Sequence, residues 1–477
     1  SHPARQRLAF EEMLSHHIAI RQRRSHRDRL CAPLMPPSTR LWPQLCEQLH
    51  FPLTSAQVRV VEEVFNDLAG TVPTMRLVQG DVGSGKTVVA AAAVLAAVEA
   101  GCQAVVMAPT ELLARQHFDS FEIWLKELGI DAVWLTSRAA AATRRQACQR
   151  LASGDVQVGI GTHALFQDDV HYHNLGLVVV DEQHRFGVEQ RLALRDKGRS
   201  DNRAPHQLVM TATPIPRSLA MVMYADMDVS VIDEMPPGRQ PVETVVIPNS
   251  RRQAVQERIR ESCARGMRAY WVCPLIDESE LLDLEAVTQR AESLRQDLPE
   301  LKIELLHGRN TPTEKDVVMN GFRSGQVDLL VATTVIEVGV DVPEASLMVI
   351  ENAERLGLAQ LHQLRGRVGR GDQKSACVLM YQAPLGDRAK ARLSTMRETN
   401  DGFEIAQKDL ELRGPGELLG TRQSGLPQFR IADLTRDHML LESVRDVAAQ
   451  LLDNGETKLI DRLIRRWLRT EDGFYSA

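Results

Sequence analysis

The sequence predicts an α/β protein built of two doubly wound parallel-sheet lobes with a C-terminal helical hairpin and loop. Three observations predict it. Short apolar runs alternate with helical stretches on both sides of a proline-rich break, a glycine-rich loop joins the first run to an alanine-rich helix, and a later run ends in two adjacent carboxylates.

The first series of runs is MRLVQ (75–79), AVVMA (104–108), AVWLT (132–136), VQVGI (156–160), LVVVD (177–181) and QLVMT (207–211). Most are continuously apolar rather than alternating, as strands covered on both faces require. MPPGRQP (235–241) interrupts the rhythm, because neighbouring prolines continue neither a helix nor a central strand. A second series follows: VETVVI (242–247), AYWVC (269–273), KIELL (302–306), DLLVAT (328–333), LMVIE (347–351) and CVLMY (377–381). RLSTMRETNDGFEIAQKDLELR (392–413) has apolar residues at helical spacing on both sides of an Asn-Asp-Gly turn and reads as a helical hairpin. The next stretch, GPGELLGTRQSGLP, has too many Gly and Pro residues for regular structure and reads as a loop. The opening SHPARQRLAFEEMLSHHIAIRQRR reads as the middle of a longer helical protein. The expected organisation is a linker helix and connection over 1–50, a first lobe over 51–234, a second over 235–385, and the hairpin and loop over 386–477.

The loop QGDVGSGKT (79–87) fits the phosphate-binding pattern G-x-x-x-x-G-K-[ST]. Gly80, Gly83, Ser84 and Gly85 let backbone N–H groups turn toward phosphate oxygens, Lys86 meets the β/γ-phosphates, and Thr87 holds Mg2+. About 100 residues further on, GLVVVDEQH delivers Asp181 as the second Mg2+ ligand and Glu182 as the group that orients and deprotonates the attacking water. ATP and Mg2+ are the expected cofactors. Only the first lobe carries a phosphate loop, so the second is expected to complete the site. QLRGRVGR (363–370) is the candidate device. Its Arg365, Arg367 and Arg370 crowd three guanidiniums that would repel one another without an anion among them, with Arg367 and Arg370 as arginine fingers.

Composition excludes little. A net charge of −6 does not announce a nucleic-acid binder, yet phosphate grooves depend on local basic stripes rather than on the total. The seven cysteines are scattered without a C-x-x-C, which points away from zinc or a disulfide framework and toward a reducing cytosol. The longest apolar stretch, 88–98, is about half a membrane span.

The ordered set Gln57 in FPLTSAQ, GDVGSGKT, APTELLARQH, GTHAL, DEQH, TATPIPR, VATTVIEVGVD and QLRGRVGR resembles that of superfamily 2 helicases and translocases. Within them, PPGR, LHGRN, ENAERLGLAQLHQLRGRVGRG and the tail NDGFEIAQKDLELRGPGELLGTRQSGLPQF resemble the RecG family of branch-migrating DNA translocases, over nearly the whole chain. WLTSR and Asn310 depart from the family's usual residues outside the catalytic set. The resemblance implies that the two parallel-sheet lobes are RecA-like and that the enzyme remodels forks and Holliday junctions, with an N-terminal wedge domain preceding residue 1. It implies that Gln57 reads the adenine edge, that Asp341 also contacts nucleotide, and that Thr110, Arg115, Thr162, His163 and Thr333 line the DNA path. It implies that His184, Thr211 and Thr213 link nucleotide state to lobe closure, that Arg392 and Arg413 tie the hairpin to its lobe, and that Gln423 sets the loop. The implied partners are branched double-stranded DNA and single-strand DNA-binding protein, with no membrane; the implied state is a monomer in the bacterial cytoplasm, associated with the nucleoid. A transcription-coupled translocase, an RNA helicase and an inactive scaffold that kept the fold are the alternatives.

Overall fold

The computed structural model describes residues 2–27, 30–182, 203–216, 227–274, 280–333, 342–371, 373–413 and 429–468. They form two compact units, one of Ser1–Gly80, Gly85–Asp233 and Arg413–Ala477, the other of Asp81–Ser84 and Glu234–Leu412.

In the first unit, helices α1 (Pro3–Arg27), α2 (Leu41–Gln48) and α3 (Ser55–Leu68) precede strand β1 (Met75–Gly80). There follow α4 (Lys86–Glu99), β2 (Gln103–Met107), α5 (Glu111–Glu127), β3 (Ala132–Leu135), α6 (Ala141–Ser153), β4 (Val158–Gly161), β5 (Leu175–Asp181), β6 (His206–Thr211) and β7 (Asp228–Ile232). The strands make one parallel sheet in the order β3-β4-β2-β5-β6-β1-β7. Six of them are the runs expected from the sequence. β7 was not expected: DVSVI is short, lies at the sheet edge beside β1 and buries only alternate side chains, so it lacks the continuous apolar signal.

Helix α4 is buried on every side from Val88 to Val98, and its alanines let α2 and α3 approach it closely. The connection expected over 1–50 therefore has two parts. Met35, Leu41 and Leu45 sit in the same core as α4, and the N–H groups of Ala32 and Met35 donate to Thr71 O at 2.7 Å and Leu68 O at 2.9 Å. Helix α1 instead packs Met13, Leu14 and Ile18 against Leu441, Val444, Ala448 and Ile460 of helices α13 (Leu441–Asp453) and α14 (Thr457–Trp467).

One buried carboxylate fixes that contact. Glu12 accepts the backbone N–H groups of Arg430 (2.6 Å), Ile431 (2.9 Å) and Ala432 (2.8 Å), while Arg5 pairs with Asp437 at 2.6 Å. Removing the acceptor leaves three amides without it, so Glu12→Ala is expected to destabilise this helical group by about 2–4 kcal/mol. Glu12→Gln, which keeps a single acceptor oxygen, should cost about half as much. Hydrogen exchange of the 430–432 amides checks this, and unchanged protection in Glu12→Ala would contradict it.

The second unit carries β8 (Glu243–Pro248), α7 (Arg252–Ala264), β9 (Arg268–Val272), α8 (Glu280–Asp297), β10 (Ile303–Leu306), α9 (Pro312–Arg323), β11 (Leu329–Ala332), β12 (Ala345–Ile350), α10 (Leu358–Arg365) and β13 (Ala376–Tyr381). Its parallel sheet runs β10-β11-β9-β12-β13-β8 and comprises the six runs of the second series. Two helices, α11 (Asp387–Glu398) and α12 (Gly402–Arg413), follow over the segment expected to form a hairpin. Asp401 starts the second helix, its Oδ1 accepting the N–H groups of Phe403 at 2.8 Å and Glu404 at 3.4 Å. Among the described residues, no helix is long and apolar enough to cross a membrane.

Candidate functional site

The phosphate loop lies between the end of β1 and the start of α4. Gly83 and Gly85 both take left-handed backbone conformations, with φ of +78° and +89°, which side-chain-bearing residues adopt only at a cost. At Gly85 space is a second constraint, because a Cβ there would lie 2.1 Å from Gln57 Nε2. Gly85 caps α4 with no side-chain hydrogen bond, and a helix start of this kind turns backbone N–H groups toward an anion. Lys86 Nζ donates to Gly80 O at 2.6 Å, which draws its ammonium back over the loop. Gln57 is buried in a capping box at the start of α3: its Oε1 accepts the Thr54 N–H at 2.9 Å, and its own N–H donates to Thr54 Oγ1 at 3.2 Å.

β5 ends in the two carboxylates. Asp181 is buried; burial alone would raise its pKa, but the hydrogen bond and charge of His117 and the nearby Lys86 ammonium bring it below the ordinary range. The His117 contact is 2.8 Å, from Nε2 to Asp181 Oδ2. Glu182 stands at φ +52°, a strained position for a residue with a side chain and a recurrent feature of working sites. Its Oε1 accepts the Ala212 N–H at 3.1 Å, which brings the segment after β5 onto the segment after β6. There Thr211 Oγ1 and Thr213 Oγ1 lie 2.8 Å apart.

These residues fit a nucleoside triphosphate and a hard divalent cation. The glycine turn and helix start supply the anion cradle, while Thr87 and Asp181 supply oxygen donors of the kind Mg2+ takes beside phosphates and water. Among the described residues there is no group of three or more His, Cys, Asp or Glu that could hold a metal ion.

His117 was not singled out from the sequence. Its signal was positional: Ala114, His117, Phe121 and Leu125 share the buried face of α5, so a lone histidine occupies an apolar stripe.

Within the second unit the arginine segment needs one correction. Arg365 does not share an anion with Arg367 and Arg370. It is buried, and its guanidinium donates to Met396 O at 2.9 Å and Thr399 O at 2.8 Å, tying the end of α11 to α10. Carbonyl oxygens thus offset the cation that mutual repulsion was expected to assign to an anion, and burial lowers its pKa from the usual arginine value. Arg367 is buried, and Arg370 Nε donates to Gly366 O at 3.3 Å. Arg392 of α11 donates to Glu354 O at 2.6 Å.

The residues expected on the DNA path differ in their local engagement. Thr110 caps α5, its Oγ1 accepting the Leu113 N–H at 3.3 Å, which leaves the hydroxyl hydrogen available. Arg115 pairs with Asp119 at 2.7 Å and lies over the rings of Phe118 and Trp134. His163 is exposed. The hydroxyls of Thr162 and Thr333 are buried and have no hydrogen-bond partner among the described residues. His184, Asp341 and Gln423 lie outside the described residues; Arg413 ends α12, and its side chain is likewise outside them.

Three family models match the chain: a DEAD/DEAH box helicase model over 54–222, a helicase conserved C-terminal domain over 251–372, and the C-terminal part of domain 3 of ATP-dependent DNA helicase RecG over 399–469. The chain is 53% identical to the ATP-dependent DNA helicases RecG of Pasteurella multocida and of Escherichia coli K12, matching over 99% and 100% of itself and 68% and 69% of theirs. The RecG of Thermotoga maritima is 46% identical over 96% of this chain and 59% of its own. A solved structure of RecG bound to a three-way DNA junction superposes with a TM-score of 0.76 at 44% identity, covering 92% of this chain and 57% of that one. A DNA-bound MrfA helicase, at 17% identity and a TM-score of 0.57, shares the fold, with 81% of this chain and 58% of that one covered. The chain belongs to the RecG family of ATP-dependent DNA helicases.

Proposed function

We propose that the chain uses Mg2+-dependent ATP hydrolysis to translocate on double-stranded DNA, remodelling stalled replication forks and branch-migrating Holliday junctions. The observation that carries this reading is the meeting of the phosphate loop and the Asp181–Glu182 pair at the strand ends of the first unit, together with a RecG-type domain 3 match over α12 and the residues beyond it. The relative solved on a three-way DNA junction supports branched DNA as the substrate.

In this reading Gly83, Gly85 and the start of α4 bind the triphosphate through backbone N–H groups, and Gln57 reads the base. Thr87 and Asp181 hold the cation, which, when bound, neutralises charge on the β- and γ-phosphates. Glu182 takes the proton of the attacking water; its left-handed backbone and its bond to Ala212 fix where that carboxylate stands. The Ala212 bond makes the Thr211–Thr213 segment a responder to the state of Glu182. Arg367 and Arg370 stabilise transition-state charge. Thr110, Arg115, Thr162, His163 and Thr333 grip a phosphate backbone; the buried hydroxyls of Thr162 and Thr333, which have no hydrogen-bond partner among the described residues, support this, since a buried hydroxyl without an acceptor is costly unless a ligand supplies one. Arg392, Arg413 and Gln423 pass the motion of the hairpin to the loop beyond it. The working form is a monomer in the bacterial cytoplasm, at the nucleoid, with single-strand DNA-binding protein as a partner.

ATPase rates with forked DNA, linear duplex and structured RNA test the proposal. Stimulation is expected to be strongest with the fork and to fall steeply with salt, because a phosphate grip releases counterions. Equal stimulation by RNA would overturn it.

A further inference from the structure

Helix α5 carries two kinds of group. Thr110 at its N-cap and Arg115 in its second turn belong to the proposed DNA path; His117 reaches Asp181, the proposed Mg2+ ligand, at 2.8 Å. Positions 115 and 117 are about 200° apart around a helix, so one can face outward while the other faces the sheet. Their surroundings agree. The Arg115 side chain is 56% exposed beside Asp119, whereas His117 is 8% exposed and shares its face with buried Ala114, Phe121 and Leu125.

We propose that His117 is a positioning residue that makes the placement of Asp181 depend on what α5 grips. The inference rests on the assignments of Asp181 and α5 made above. An ionised Asp181 accepts at Oδ2, so His117 Nε2 carries the hydrogen of this bond and fixes the rotation of the carboxylate. Partners of this kind, one step behind a metal ligand, orient it and contribute to metal affinity. A helix is stiff over two turns, so displacing its first turn onto a phosphate displaces His117 with it, and no other link is required. Coupling of two binding events is reciprocal: if DNA on α5 improves the cation–nucleotide site, Mg2+–nucleotide must tighten DNA by the same factor.

The test uses the full chain, a non-hydrolysable ATP analogue and forked DNA, comparing wild type with His117→Leu, which fills the site without a donor, and His117→Gln, which keeps one. DNA affinity is measured with and without Mg2+–analogue. Wild type should show a ratio in the range of about 5- to 150-fold, and His117→Leu a ratio near one. The Mg2+ concentration that half-saturates binding of a fluorescent analogue should rise about 10-fold or more in His117→Leu, while DNA affinity without nucleotide stays at the wild-type value. His117→Gln should keep most of the ratio. A wild-type ratio in His117→Leu, or equal loss of DNA and nucleotide affinity in it, overturns the proposal. Should the leucine variant not fold, the glutamine variant decides, and a folded His117→Gln with no coupling overturns it as well. A wild type without any coupling would instead defeat the translocase reading itself, so the two failures are distinct.

Discussion

Lys86→Ala and Glu182→Gln should each reduce DNA-stimulated ATP turnover by about 10²- to 10⁴-fold, yet only the first should lose nucleotide affinity. The difference follows from where each group acts. The Lys86 ammonium, held over the loop by Gly80 O, meets phosphate charge already present in the ground state, so removing it weakens binding and turnover together. Glu182 acts on the water. Glutamine matches its shape, keeps an oxygen for the Ala212 N–H and lacks only the basicity, so Glu182→Gln should hold ATP and DNA in a stalled complex. Equilibrium binding of a fluorescent nucleotide, set beside steady-state turnover, separates the two. Equal loss of nucleotide affinity in both variants would sink the assignment of Glu182 to the water.

Much of this was legible in the sequence because the relevant physics is local. Twelve of the strands announce themselves as apolar runs, and the phosphate loop requires glycine at positions whose backbone is left-handed, so residue identity alone marks Gly83 and Gly85. β7 was missed because this edge strand buries only alternate residues, so DVSVI carries too little apolar signal. The site was less legible wherever the partner lies far along the chain. His117 and Asp181 are 64 residues apart, and nothing in APTELLARQH says which strand end its histidine will meet. Arg365 was misassigned for the same reason: three arginines close in sequence suggest one shared anion, whereas the carbonyl oxygens of Met396 and Thr399 are set by the fold. The left-handed backbone of Glu182 left no trace, since glutamate is not a residue that signals positive φ.

Arg370→Ala should lower turnover by about 10³- to 10⁵-fold with little change in nucleotide binding, if Arg370 serves the transition state as proposed. Arg370→Lys should recover little of this, because a guanidinium presents a planar fork to two phosphate oxygens and an ammonium does not. The local backbone offers an independent check. Gly369, immediately before it, has φ +76°, and a Cβ there would lie 2.7 Å from Val242 Cγ2. Alanine at 369 therefore meets both a left-handed backbone and a β-branched neighbour, and relief requires the 369–370 backbone to move. Such a movement re-aims Arg370 without altering its chemistry, and a misplacement of about 1 Å can cost on the order of 10²-fold in rate. Gly369→Ala should accordingly show a turnover defect that Val242→Ala, which removes the Cγ2 group, partly reverses. A Gly369→Ala protein with lowered thermal stability but wild-type turnover would show that the position of Arg370 does not govern hydrolysis, and the transition-state role would then rest on Arg367 alone.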